Sequence, residues 1–427
     1  MNATLTSSSH ANAPTEMTAI ETSGPATNRV VLMRPLLLVA IGLFYASCVF
    51  DPADLLFHLK IPLFCVCWLI FSLWYLPKAD RNRIPMGLIL YACAMIGIPV
   101  FSVVYYLATN GSQPYEGFAL LKSYLMISFS LLLFLSKIDA LKTICRILSL
   151  LALATLTTFA LMETAPGLFA RVDAFLNFYG IANVNTRDYG DEVSLLLVFF
   201  VTSPMLVLPI AHYTHRMLTT GGWRRLACGV CAAVNIGGMF LAGTRANLLT
   251  AILLPLAIIV LRVRRKVVIF LCAGLALVAV AFVYREQLAV LFSTEEHSNQ
   301  HKLTLVDDYW KVLSEPKTLL LGQGLGAYQY WTPRGFAFPV TELTYFDVVR
   351  FYGIFLGGII MWLMFYPVVY AFLINPQYVQ RHIIVGYAFY LAACFGQPLF
   401  FSSSGMSILS IILANIFLYS HRRMKFL

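Results

Sequence analysis

LTYFDVVRFYGIFLGGIIMWLMFYPVVYAFL, residues 343–373, carries two charged side chains near its start, Asp347 and Arg350, and none afterwards. About 20 apolar residues cross the hydrocarbon core of a bilayer as a helix. This stretch therefore reads as a transmembrane helix, with Pro367 placed to kink or end it. Similar runs recur outward in both directions, at 31–50, 60–76, 84–107, 118–135, 140–162, 192–211, 226–243, 246–262, 267–284, 382–399 and 404–420. The expected fold is an all-α polytopic membrane protein of about 12 spans, because a helix satisfies every backbone polar group within its own segment. Composition agrees. Of 427 residues 59% are hydrophobic and 12% charged, about half the charge of a soluble domain, and the mean hydropathy is +0.77. A soluble globular enzyme is excluded, and so is extensive disorder.

The net charge is +10, from 30 Lys and Arg against 20 Asp and Glu. In a membrane protein that excess reports topology rather than nucleic-acid binding. With the N-terminus inside, the cytoplasmic loops hold Lys78, Arg81 and Arg83; Lys137 and Lys142; Arg216, Arg224 and Arg225; and Arg262, Arg264, Arg265 and Lys266. Both termini are expected in the cytoplasm: a disordered tail over 1–28, a membrane domain over 29–421 and a basic tail over 422–427. The clusters at 262–266 and 422–425 are topological signals first and anionic-lipid contacts second. Two exported loops are long, about 163–191 and 285–342, the second with amphipathic patches that predict short helices. Loops of that length are often functional. Cys228 and Cys231 have metal-ligand spacing but no partner pair, and read as ordinary small hydrophobes.

Three polar positions gather on the exported side. Arg245 lies in the turn Gly243-Thr244-Arg245-Ala246 between two spans. Arginine near hydrocarbon costs about 2.5–3.5 kcal/mol on insertion scales. It is either a snorkelling interfacial side chain or an anion clamp, whose planar fork suits phosphate oxygens. Arg187 closes the first long loop in Asn185-Thr186-Arg187-Asp188. It either pairs with Asp188 or Asp191 at the surface or joins Arg245 on a pyrophosphate. Glu342 precedes the opening run. Asp347 and Arg350, three apart, can pair on one helical face, which leaves Glu342 without a local partner. A carboxylate partly shielded from water can serve as a base; alternatively Glu342 is a helix-start acid favoured by the macrodipole.

Gly322-Gln323-Gly324-Leu325-Gly326 has no surrounding strand–turn–helix unit and reads as a tight turn, with backbone that can approach a ligand at Gly324. Aromatic residues of the long loop and the next span, Trp310, Tyr328, Trp331 and Tyr345, are candidates to stack on sugar faces or to form an interfacial belt. No phosphate-binding loop, zinc motif or nucleophile elbow is present, so no metal or cofactor is expected. A reaction outside the cytoplasm without ATP must draw on an activated substrate, and a lipid-linked pyrophosphate sugar is one.

These features together resemble the superfamily of O-antigen ligases and Wzy-type polymerases, polytopic glycosyltransferases acting on undecaprenyl-pyrophosphate glycans. The likeness rests on Ala242-Gly243-Thr244-Arg245-Ala246, on Asp308-Tyr309-Trp310 through Pro316 to the Gly322–Gly326 turn, and on the run from Glu342 to Gly353. Ligases of that family typically show a His-Asn pair with Gly eleven residues after the His. Here the pair is Glu342-Leu343, which is closer to a polymerase of surface-polysaccharide repeats. The resemblance implies a periplasm-facing, inverting, metal-independent reaction in the bacterial inner membrane. Arg245 and Arg187 would hold the donor pyrophosphate and Glu342 would serve as base. It also implies a flippase and a chain-length regulator as pathway partners. Transfer to lipid A core and non-enzymatic transport are the alternatives.

Overall fold

A computed structural model describes residues 25–78, 84–110, 115–188, 194–262, 297–375 and 378–424. The chain is mostly helical. α1 covers Pro25–Phe50, α2 Lys60–Trp74, α3 Met86–Asn110, α4 Tyr115–Leu125, α5 Phe129–Ser136, α6 Leu141–Thr164, α7 Pro166–Phe178, α8 Val207–Thr219, α9 Gly222–Leu241 and α10 Arg245–Arg262. After them come α11 His297–Leu313, α12 Pro316–Leu321, α13 Thr344–Val369, α14 Arg381–Ala393 and α15 Ser403–Met424. Among the described residues, 7 helices are long and apolar enough to cross a membrane; 34–50, 60–74 and 381–396 are shorter apolar helices.

Two departures from the sequence reading concern local structure. The chain is not purely helical: β1 (Ala182–Asp188) pairs antiparallel with β2 (Ser194–Phe200), and β3 (Gln329–Trp331) with β4 (Phe336–Phe338). Within the expected span 192–211, the described residues form β2, a tight 3₁₀ turn at Ser203–Leu206 and the start of α8. Short apolar runs such as Ser194–Phe200 have no periodicity that separates a buried strand from a helix. At the N-terminus, α1 begins at Pro25, inside the tail expected to be disordered. The expected span 267–284, residues 1–24 and residues 425–427 lie outside the described residues.

The centre of the bundle is α15, 83% of whose apolar window is buried inside the protein. Its serines make that possible. Ser407 Oγ donates to Ser403 O at 2.7 Å, Ser410 Oγ to Ser407 O at 2.8 Å and Ser404 Oγ to Cys48 O on α1 at 2.6 Å. Small side chains let neighbouring helices approach, and their hydroxyls find carbonyls in place of water.

Hydrogen bonds tie the connections into two ends of the bundle. At one end Thr202 Oγ1 donates to Val49 O at 2.8 Å, Lys122 Nζ pairs with Asp54 at 3.5 Å, and Gln397 reaches Thr244. At the other end Tyr378 Oη donates to Asn415 Oδ1 at 2.6 Å and Tyr419 Oη to Asp139 Oδ2 at 3.4 Å. Segments 51–59, 202–206, 244–245 and 397–403 share the first end, which we call the loop end. The second is the basic end.

The break in α13 falls at Gly353 (φ 72°, ψ 175°), whereas Pro367 is carried within the helix. A left-handed residue suits glycine, and here space also demands it, because a Cβ on Gly353 would stand 2.2 Å from Leu320 O. The break removes the helical partners of nearby carbonyls, which must then bond elsewhere. Gln323 N donates to Arg350 O at 2.7 Å, Gly324 N to Phe351 O at 3.1 Å, and Ser102 Oγ to Phe351 O at 3.0 Å. The glycine-rich turn thus docks on the broken helix.

Candidate functional site

The site at the loop end is built from three segments distant in sequence. Thr244 opens α10: its Oγ1 accepts from Asn247 N at 3.2 Å, an N-cap bond. The same oxygen accepts from Gln397 Nε2 at 3.2 Å, and Gln397 O accepts from Thr344 Oγ1 at 2.8 Å. One residue, Gln397, therefore bridges the turn of Arg245 and the first residue of α13, two positions beyond Glu342. The half-buried Arg245 donates from Nη1 to Asn299 Oδ1 on α11. Lys302 on α11 places its Nζ 3.3 Å from where a Cβ on Gly396 would stand. Beside them, fully buried Asn247 has both side-chain polar atoms without partners among the described residues, as has Gln397 Oε1. Cations and uncommitted amides are what a phosphate and its attached sugar require.

Gly243 (φ 63°) connects this turn to the β1–β2 hairpin. A Cβ there would overlap the side chain of Leu197 on β2. Leu197 is the register partner of Asn185, two residues along β1 from Arg187, which stands opposite Leu195. The strand of Arg187 and the turn of Arg245 thus pack together; the Arg187 side chain lies outside the described part of the structure.

Glu342 is not without a partner. Arg334, in the turn between β3 and β4, brings Nη2 to 3.8 Å from Glu342 Oε1, with the side chains 27% and 37% exposed. The sequence reading, which found no local partner for Glu342, could not supply this one, since nothing local in sequence shows a hairpin folding back onto the start of α13. The Asp347–Arg350 pair is structural, as the three-residue spacing indicated. Both are fully buried, and Arg350 Nη2 lies 2.8 Å from Asp347 Oδ1. Arg350 Nε also donates to Asp347 Oδ1 at 3.0 Å, Nη1 donates to Gln323 Oε1 and Ala327 O, and Nη2 to Pro339 O. Every donor of the guanidinium is used, and the bonds to Gln323, Ala327 and Pro339 fasten the long loop to α13. Asp347 Oδ2 accepts from Thr341 N at 2.7 Å, and Thr341 Oγ1 meets Tyr309 Oη at 2.5 Å. Burial, with the nearby Asp347 charge, holds the Tyr309 hydroxyl protonated well above the ordinary tyrosine range.

The candidate aromatics separate. Trp331 is 0% exposed, packs on Tyr309 at 4.6 Å between ring centroids and donates Nε1 to Phe338 O at 2.9 Å. It belongs to a small core under the loop with Leu305 and Leu343 and presents no face to a ligand. Tyr345 commits its hydroxyl to Leu391 O at 2.6 Å. Gly324 (φ 92°) approaches protein, not open space: a Cβ would stand 2.5 Å from Tyr106 Cβ. Trp310 is 75% exposed on α11. Tyr328 is exposed and lines a cavity of about 280 Å³ with Tyr105, Tyr106, Glu315, Lys317 and Gln323. Rings for stacking beside amide and charged groups suit a saccharide. Tyr105 and Tyr106, at the end of α3, and Lys302 are not among the candidates of the sequence, because aromatics at a span end and a charge in a long loop carry no distinguishing pattern. Asn247 did carry a signal, as an amide two residues into an apolar run.

No family model matches the chain, and no curated protein matches it.

Proposed function

We propose that the chain is a membrane glycosyltransferase that joins glycan units carried on a lipid pyrophosphate, in the manner of a Wzy-type polymerase of surface polysaccharide. The observation that carries this reading is the Thr244–Gln397–Thr344 bridge, which holds the turn of Arg245 beside the segment bearing Glu342. Arg245, Arg187 and Lys302 hold the donor pyrophosphate and stabilise the charge that gathers as it leaves. Glu342 accepts the proton of an acceptor-sugar hydroxyl. The freed oxygen attacks the anomeric carbon from the face opposite the phosphate, the carbon–oxygen bond to phosphate breaks, and its electron pair departs on the pyrophosphate. A single displacement inverts the anomeric centre. Arg334 orients the carboxylate, and the tyrosine-lined cavity receives the growing glycan.

In this reading the loop end faces the periplasm, both termini lie in the cytoplasm, and the protein works in the bacterial inner membrane beside a flippase and a chain-length regulator. The test is Glu342→Gln in the producing cell. Polymer should disappear and single lipid-linked repeats accumulate while the protein stays folded in the membrane. Full-length polymer from that variant removes Glu342 as the base. Accumulation of long lipid-linked chains in cells lacking the protein would assign ligation. Movement of labelled lipid across vesicles without a new glycosidic bond would assign transport.

A further inference from the structure

The basic end carries a second concavity that the reaction above does not use. A cavity of about 320 Å³ opens between the first turns of α6, the second half of α8 and the start of α9. Four cationic side chains line it, Lys142, Arg146, Arg216 and Arg224, together with His212, Tyr213 and Thr220. No acidic side chain lines it, and among the described residues none of the four cations makes an ion pair. Behind it His215 stacks on His382 with ring centroids 3.8 Å apart. The positive-inside rule explains why these loops are basic. It does not explain why cations from three separate helices converge on one cavity, where each repels the others until an anion enters.

We propose that this cavity binds the phosphate of an anionic phospholipid. Three guanidiniums offer paired donors to phosphate oxygens, the ammonium adds a point charge, and the hydroxyl of Tyr213 supplies a neutral donor, while that of Thr220 is already given to Arg216 O at 2.8 Å. Ala227 and Cys228 make part of the wall apolar, and Trp223 and Leu226 on the same turn of α9 are exposed, as a lipid backbone and acyl chains require. Basic pockets between helices on the cytoplasmic side recognise anionic headgroups for these reasons. The site is independent of glycosyl transfer, which is proposed at the opposite end of the bundle.

The test uses full-length protein purified in neutral detergent and stripped of lipid. Thermal unfolding is followed while phosphatidylglycerol, phosphatidylcholine or inorganic phosphate is added. Phosphatidylglycerol should raise Tm saturably and phosphatidylcholine should not. Arg146→Gln with Arg216→Gln should weaken the apparent affinity about a hundredfold, roughly tenfold for each lost charged donor pair. Arg225→Gln, outside the cavity, should leave it unchanged. If the double Gln variant does not fold, Arg146→Lys with Arg216→Lys keeps the charge but loses the fork, and should weaken binding about tenfold. An equal effect of inorganic phosphate supports the site and assigns a soluble anion as its source. Equal shifts from both lipids, or an unchanged titration in the folded double variant, overturn the proposal.

Discussion

Arg350→Met removes one guanidinium that holds four parts of the molecule at once. In the native protein that group satisfies Asp347, Gln323, Ala327 and Pro339 from a fully buried position. Methionine has similar bulk but leaves the Asp347 carboxylate buried with only the Thr341 donors. Breaking a buried pair from one side costs about 3–5 kcal/mol. The cost falls on the attachment of the loop, because Gln323, Ala327 and Pro339 all lie in it. Local opening should therefore become at least roughly a hundredfold more frequent, at about 1.4 kcal/mol for each factor of ten. Limited proteolysis of the 297–342 segment in proteoliposomes reads that population directly when reclosing is fast. Cleavage should accelerate by that factor while the transmembrane fragments stay associated. Asp347→Asn added to Arg350→Met should recover part of the loss, since it withdraws the uncompensated charge. A cleavage rate within threefold of wild type, about what an exposed substitution produces, would refute this account of how the loop is held.

Gly353→Ala should be severely destabilising, since a Cβ would collide with Leu320 O, whereas Gly358→Ala, with nothing within 4 Å, should be neutral or slightly stabilising; thermal unfolding in detergent compares the two. Trp331→Ala should lower stability by about 3–5 kcal/mol through loss of a core aromatic. Trp310→Ala should leave Tm unchanged, and any change it makes in product length would place the glycan against α11. Thr244→Val should lose the cap of α10 and the bridge to Gln397, at about 1 kcal/mol; a fall in polymer yield larger than the Tm change would separate its positioning role from its structural one.

What could be read from the sequence follows the range of the interaction involved. Long apolar helices were legible because a bilayer-length run has few alternatives, and Asp347 with Arg350 because three-residue spacing on a helix is local geometry. Arg245 stood out by its cost in an apolar setting, and Gln397 bridges its turn to the first residue of α13. The hairpin β1–β2 was hidden in Ser194–Phe200, whose side chains suit strand and helix alike. Arg334 could not be matched to Glu342, nor Gln397 to Thr244, because those contacts arise only when separate elements pack. The same limit made Trp310 and Trp331 look equivalent, although one faces outward and the other lies beneath the loop.

The break at Gly353 changes how the opening stretch meets the bilayer. Counted from the break, the helix and its terminal π turn to Ile374 supply about 30 Å of rise, the thickness of the hydrocarbon core. The piece before the break, Thr344–Tyr352, is then free of any duty to cross. Its acid and its arginine need never be dragged through oil, and it behaves as a plinth for the loop, set on the membrane by a swivel that only glycine permits.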